Sequence, residues 1–173
     1  MTTFAERARQ LRCVIFDIDG VLTDGMLYLA PDGTELKAVS VRDGLGIKLL
    51  LRAGIEVAII SGRPSAAMQA RFAGLGVRHI RLDVDDKEPA FDALLAKLGI
   101  QAHECAVMGD DVPDVPLMRR AGLALTVADA HPAALAVAHW ASRLNGGRGA
   151  VREACDLIVA ARARAGQAPE ASP

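Results

Sequence analysis

Short apolar runs alternate along this chain with longer segments in which apolar residues recur every three or four positions. The runs are CVIF (13–16), IEVAII (55–60), HIRL (79–82), CAVMG (105–109) and LALTV (123–127). Between and after them lie GLGIKLLLRAG, SAAMQARFAGLG, a stretch near 87–98, PLMRRAG and PAALAVA. This alternation predicts a parallel β-sheet covered by helices on both faces, a Rossmann-like three-layer α/β sandwich. Gly54, Gly76, Gly99 and Gly122 each follow an apolar-periodic segment, where a left-handed helix stop favours glycine.

One piece breaks the rhythm. MLYLA-PDGT-ELKAV, residues 26–39, places two strand-like runs around Pro31, Asp32 and Gly33 and predicts a β-hairpin. The hairpin strand Met26 to Ala30 is apolar on both alternating faces, so a second subunit is expected to cover it. Residues 1–162 are expected to form a single domain, and the small, polar, proline-bearing end from 163 to 173 a flexible tail.

Composition narrows the function classes. The chain has 173 residues, of which 51% are hydrophobic, enough for one well-filled core. With 20 basic and 21 acidic residues, the formal charge of -1 gives no electrostatic case for nucleic acid or an anionic membrane as partner. No apolar run approaches the ~20 residues that span a bilayer, and the amphipathic, charged start MTTFAERARQLR lacks a signal core. Cys13, Cys105 and Cys155 are odd in number and set in apolar surroundings, which suits reduced, packed thiols. A soluble cytoplasmic protein is expected.

The chemistry gathers where the apolar runs end, since ligands of open α/β sheets collect beyond the carboxyl ends of strands. CVIF is followed by Asp17 and Asp19, IEVAII by Ser61, Gly62 and Arg63, HIRL by an acidic stretch leading to Lys87, and CAVMG by Asp110, Asp111 and Asp114. Carboxylates from at least two strands suit a hard, oxygen-loving cation such as Mg²⁺. Lys87 lies near the start of a predicted helix, where the dipole disfavours a cation, so an anionic neighbour is expected to offset that cost. A phosphoryl group fits: Lys87 and Mg²⁺ neutralise it, Ser61 bonds it, Asp17 attacks phosphorus, and Asp19 serves as acid and then base. An isolated Asp-x-Asp would suggest a turn, and a single helical lysine a solvated surface. Four such features on successive strand ends favour one site. His79, His103, His131 and His139 show no ligand spacing, and neither a G-x-x-x-x-G-K-[ST] loop nor a G-x-G-x-x-G fingerprint follows a strand.

These four segments resemble the motifs of the haloacid dehalogenase-like superfamily of aspartate-nucleophile phosphohydrolases: DIDGVLTD, SGR, Lys87 and GDDVPD. The resemblance implies Asp17 as nucleophile and Asp19 as acid/base, with Mg²⁺ held by Asp17, the Asp19 carbonyl and Asp110 and supported by Asp111 and Asp114. It places Thr23, Ser61, Gly62, Arg63, Lys87 and Arg148 with phosphate and substrate. The intervals from Asp19 to Ser61 and from Ser61 to Lys87 leave no room for a separate lid domain, so a capless fold with a projecting hairpin is expected.

A narrower resemblance runs through DGVLTDG, ELKAVSVRDGLGIKLL, VAIISGR, GDDVPDVPLM, VADAHP and GGRGAVREACDLI. It is to the family of 3-deoxy-D-manno-octulosonate 8-phosphate phosphatases, capless homotetramers that serve lipopolysaccharide precursor synthesis. That implies a sugar-acid phosphate substrate and a homotetramer. A nine-carbon sialic-type acid 9-phosphate is the alternative substrate, and a non-catalytic scaffold the alternative from another class. Arg42, Arg63, Arg148 and Arg152 are candidates for a carboxylate or phosphate, with Arg63 and Arg148 leading. Ser40, the Val112-Pro113 pair and the acidic residues Asp83, Asp85 and Asp86 depart from the family pattern.

Overall fold

The computed structural model describes residues 2–165. Its strands are β1 (Cys13–Phe16), β2 (Tyr28–Leu29), β3 (Glu35–Leu36), β4 (Glu56–Ile60), β5 (His79–Arg81), β6 (Cys105–Met108), β7 (Leu123–Thr126) and β8 (Trp140–Ala141). Its helices are α1 (Phe4–Arg9), α2 (Val41–Arg52), α3 (Ala66–Gly74), α4 (Lys87–Leu98), α5 (Val115–Arg120), α6 (Pro132–Leu135) and α7 (Ala150–Ala165). Short 3₁₀ turns cover Ala102–Glu104 and Val112–Asp114.

Six strands form one parallel sheet in the order β5-β4-β1-β6-β7-β8. The central strands β1, β6 and β7 are buried along their whole length, which is why they lack polar alternation. From β1 the chain moves outward through β4 to β5, then crosses back to β6 and moves the other way. Right-handed crossovers therefore put α2 and α3 on one face and α4 and α5 on the other. On the first face α7 packs against α2 and α1, and Arg71 of α3 and Leu75 just after it lie over Gly44 of α2. The reversal beside β1 leaves a crevice at the carboxyl ends of β1, β4 and β6.

The hairpin is shorter than the sequence suggests: only Tyr28↔Leu36 and Leu29↔Glu35 pair, antiparallel, around a turn with Gly33 at φ +83°. Among the described residues it is the only insertion between β1 and α2, and α3 and β5 alone separate Ser61 from the loop before Lys87, so no lid domain is present.

Four expectations change in detail. Gly54, Gly76 and Gly99 have positive φ as helix stops, but Gly122 does not; it is needed because a Cβ there would stand 1.9 Å from the His103 carbonyl oxygen. PAALAVA is helical only over Pro132–Leu135. Helix α7 continues past 162 to Ala165, and Arg162 donates to the Leu11 carbonyl at 2.5 Å; the rest of the expected flexible tail lies outside the described residues. The edge strand β8 and the opening helix α1, unforeseen in the sequence, come together where Phe4 and Trp140 set their rings 5.9 Å apart.

Candidate active site

Asp17 follows the last residue of β1 and is buried, its backbone N–H donating to the Met108 carbonyl of the neighbouring strand at 3.1 Å. Lys87 is the first residue of α4, buried with its Nζ 2.9 Å from Asp17 Oδ1 and 2.7 Å from Asp114 Oδ1. Those two carboxylates offset the unfavourable helix-dipole position. Burial opposes the lysine's charge, but Asp17 and Asp114 outweigh it and hold the Lys87 pKa above its ordinary value.

Asp114 organises the other wall. Its Oδ2 accepts the backbone N–H groups of Asp110 (3.1 Å) and Asp111 (3.4 Å), while Oδ1 takes the lysine. Gly109 is obligatory here, since a Cβ would come within 2.2 Å of the Asp114 Cβ. Gly20, at φ +87°, likewise leaves room for Asp110: an added Cβ would stand 2.1 Å from Asp110 Oδ2. The loop between them is closed by Thr23, which is buried with its hydroxyl donating to the Ile18 carbonyl and accepting from the N–H groups of Gly20 and Gly25. Thr23, expected among the phosphate-binding residues, uses its hydroxyl in shaping the loop that follows Asp17 and Asp19.

Oxygens of Asp17, Asp110 and Asp114 lie within 4.8 Å of one another. Desolvation, with repulsion from Asp114 next, pushes Asp17 up to about 6 against the pull of Lys87. Desolvation, then Asp17 and Asp114, pushes Asp110 to about 7. Asp17 Oδ1 is buried with the Lys87 ammonium 2.9 Å away. Crowded, desolvated, oxygen-only ligands fit a hard divalent cation. Asp17 and Asp110 have oxygens to offer it; both oxygens of Asp114 are occupied, and Asp111 turns its Oδ1 to its own Val112 N–H at 2.7 Å. Asp114 thus spends its carboxylate on Lys87 and the loop backbone, and Asp111 one oxygen on Val112.

These groups line one cleft of about 440 Å³ together with Asp19, Gly25, Ser61, Gly62, Arg63 and Asp85. Ser61 is buried at the end of β4, its backbone bonded to Arg81 and Val84. Arg148, expected with the substrate, lines a different cleft with Arg42 and Asp24, and its Nη2 donates to Asp24 Oδ2 at 3.2 Å. Its loop is nonetheless tied to the catalytic one, since Gly146 and Gly147 lie against the backbone of Gly20 and Thr23. Arg152, also a candidate, pairs with Asp156 on its own helix at 2.8 Å.

One site residue escaped the sequence. Lys37, after β3, holds both carboxylate oxygens of Asp19 at 2.6 and 2.7 Å, and its side chain is only 4% exposed. Glu35 stands 3.4 Å from the same ammonium and pairs with Arg63, whose Nε lies 3.7 Å from Asp19. The alternation of Glu35 and Lys37 around Leu36 was the available signal: charges point inward and the leucine outward.

A family model of haloacid dehalogenase-like hydrolases matches residues 35–122. The chain is 47% identical to the 3-deoxy-D-manno-octulosonate 8-phosphate phosphatase of Yersinia pestis, over 91% of this chain and 84% of that one. The crystal structure of a Yersinia pestis enzyme of that name superposes with a TM-score of 0.90 at 46% identity, covering 92% of this chain and 86% of that one. The phosphatase of the same name from Moraxella catarrhalis, crystallised with magnesium, phosphate and KDO, gives a TM-score of 0.90 at 41% identity, with 92% of each chain covered.

Proposed function

The chain belongs to the haloacid dehalogenase-like hydrolases, within the family of 3-deoxy-D-manno-octulosonate 8-phosphate phosphatases, and on that premise we propose that it hydrolyses this eight-carbon sugar-acid phosphate to the free sugar acid and inorganic phosphate. The observation that carries the reading is the buried Asp17, flanked by Lys87 and Asp110 in an open cleft at the strand ends.

Asp17 attacks phosphorus, and the bond from phosphorus to the sugar oxygen breaks as that oxygen takes a proton from Asp19. The product is an aspartyl phosphate on Asp17. Water then attacks the phosphorus, Asp19 accepts its proton, and the bond to Asp17 breaks to release phosphate. Lys87 neutralises phosphoryl charge at the nucleophile, and Ser61 and the Gly62 backbone are placed to bond its oxygens. Magnesium, which Asp17, the Asp19 carbonyl and Asp110 would hold, supplies further charge neutralisation. Arg63, the arginine lining this cleft, is assigned to the sugar-acid carboxylate.

The hairpin is the assembly surface of this reading. Met26, Leu27, Tyr28, Leu29 and Leu36 are all exposed, with Leu29 at 67%. Burying them against further copies gives the homotetramer and shields the cleft that no lid domain covers. The three cysteines are free and buried, in keeping with a cytoplasmic enzyme supplying lipopolysaccharide precursors.

The test is a steady-state panel with Mg²⁺ containing the eight-carbon 8-phosphate and a nine-carbon sialic-type acid 9-phosphate. Highest kcat/KM on the former is expected. Preference for the latter would overturn the substrate while leaving the phosphatase chemistry, and no turnover of either would remove the reading altogether.

A further inference from the structure

We propose that Lys37 is the positioning residue for the Asp19 carboxylate, delivered to the active site by the hairpin. This inference rests on the acid and base role given to Asp19 above. The geometry is specific to that role. A lysine ammonium whose side chain is 4% exposed contacts both oxygens of one carboxylate, at 2.6 and 2.7 Å, across a sequence separation of 18 residues. Removing an ammonium from water is costly unless it is paired, so the contact fixes two things together. It holds the hairpin over the cleft, and it fixes the direction of a carboxylate that is otherwise 24% exposed and has no other hydrogen-bond donor among the described residues.

The strand pattern shows that Lys37 is built for this place. Glu35 and Lys37 point to the same side of the strand, toward Arg63 and Asp19, while Leu36 between them is 60% exposed. A hairpin with its charges inward and its apolar residues outward is inverted relative to a domain's own surface strand. Its charged face is explained by the active site: Asp19, Glu35, Lys37 and Arg63 form a balanced set of two anions and two cations. Glu35, 3.4 Å from the same ammonium, gives Lys37 a second anionic neighbour that restrains it. A proton-transfer group aimed in this way needs no search at the moment of reaction.

The experiment uses the full-length enzyme with saturating Mg²⁺ and two substrates of similar shape, phenyl phosphate and p-nitrophenyl phosphate. The phenolate leaving group needs a proton; the nitrophenolate scarcely does. Asp19→Asn should lower kcat/KM on phenyl phosphate at least about tenfold more than on p-nitrophenyl phosphate, in line with the contribution of a general acid. Lys37→Met should reproduce that skew at roughly threefold to tenfold, and Lys37→Arg should remove most of it. Circular dichroism and sedimentation establish that each variant is folded and assembled, and Lys37→Gln carries the same comparison if Lys37→Met does not fold. Equal losses on both substrates would make Lys37 a structural anchor of the hairpin and overturn the inference, as would no loss. Should Asp19→Asn itself show no skew, the acid role falls and the inference with it; a skew for Asp19→Asn without one for Lys37 variants overturns the inference alone.

Discussion

Lys87 Nζ stands 2.9 Å from Asp17 Oδ1, a buried cation set at the first residue of a helix directly against a buried carboxylate. A lysine in that position gains nothing from the helix, and its burial is repaid only by Asp17 and Asp114.

Lys87→Met should therefore act twice. With two like-charged, desolvated carboxylates left facing each other, stability at pH 7.5 should fall by about 3 kcal/mol, measured by denaturant unfolding of the metal-free protein. Phosphatase kcat/KM should fall at least about 10²-fold. A variant with near-normal turnover would place Lys87 outside the reaction.

Asp17→Asn should abolish phosphate release while preserving the circular dichroism spectrum, since the amide fills the same volume without an attacking charge. It also relieves the repulsion that Asp17 exerts on Asp110. The metal-free variant should accordingly melt at or above the wild-type temperature at neutral pH. Substantial residual turnover would exclude Asp17 as nucleophile.

The raised carboxylates make a prediction about pH. Asp17 and Asp110 titrate at about 6 and about 7 in the folded metal-free chain, against 3.8 for an ordinary aspartate. Between those values the folded state binds more protons than the unfolded one, so their contribution to stability is lost as pH rises from about 4 to about 7. Metal-free melting temperature should show this decline, and Asp110→Asn should flatten it. Added Mg²⁺ needs the ionised carboxylates, so its stabilising effect should grow over the same range and activity should vanish on exhaustive chelation. A wild-type profile no steeper than that of Asp110→Asn would remove the assignment.

Gly20→Ala places a methyl group 2.1 Å from Asp110 Oδ2 and strains a φ of +87°. Displacement of Asp110 should raise the Mg²⁺ concentration for half-maximal activity about tenfold or more, with stability falling by about 1 kcal/mol or more. An unchanged magnesium titration would show that Asp110 is not a ligand.

Leu29→Asp puts a charge on the exposed apolar face of the hairpin. If copies of the chain meet there, sedimentation should show a smaller species, and activity should fall with it because the hairpin also carries Lys37. A monomeric wild type, or a fully active monomeric variant, would refute the shared-site assembly.

The parallel sheet, its two helical layers and the hairpin's place in the chain were legible because each depends on local periodicity and on which residues can start or stop an element. The strand-end aspartates and Lys87 were legible for a related reason: an open α/β sheet brings successive carboxyl ends to one rim, so order along the chain predicts nearness in space. Two features were too short to carry a period, the two-residue edge strand at Trp140–Ala141 and the six-residue opening helix. The helix nonetheless carried a start signal, the Thr3–Glu6 capping box, whereas the edge strand carried none.

Side-chain direction was decided only by the tertiary structure. The sequence named Thr23 and Arg148 without fixing where their polar groups point: the Thr23 hydroxyl bonds within its own loop, and Arg148 lines a cleft beside Asp24. It passed over Lys37 entirely. The Glu35-Leu36-Lys37 alternation sets that lysine on the opposite face from Leu36 but does not name its partner; it becomes a site residue because the fold carries it to Asp19, where the burial of one charge requires the other. Local sequence thus determined the elements and the chemical groups at their ends, whereas desolvation and pairing, which exist only once distant segments meet, decided which of those groups work together.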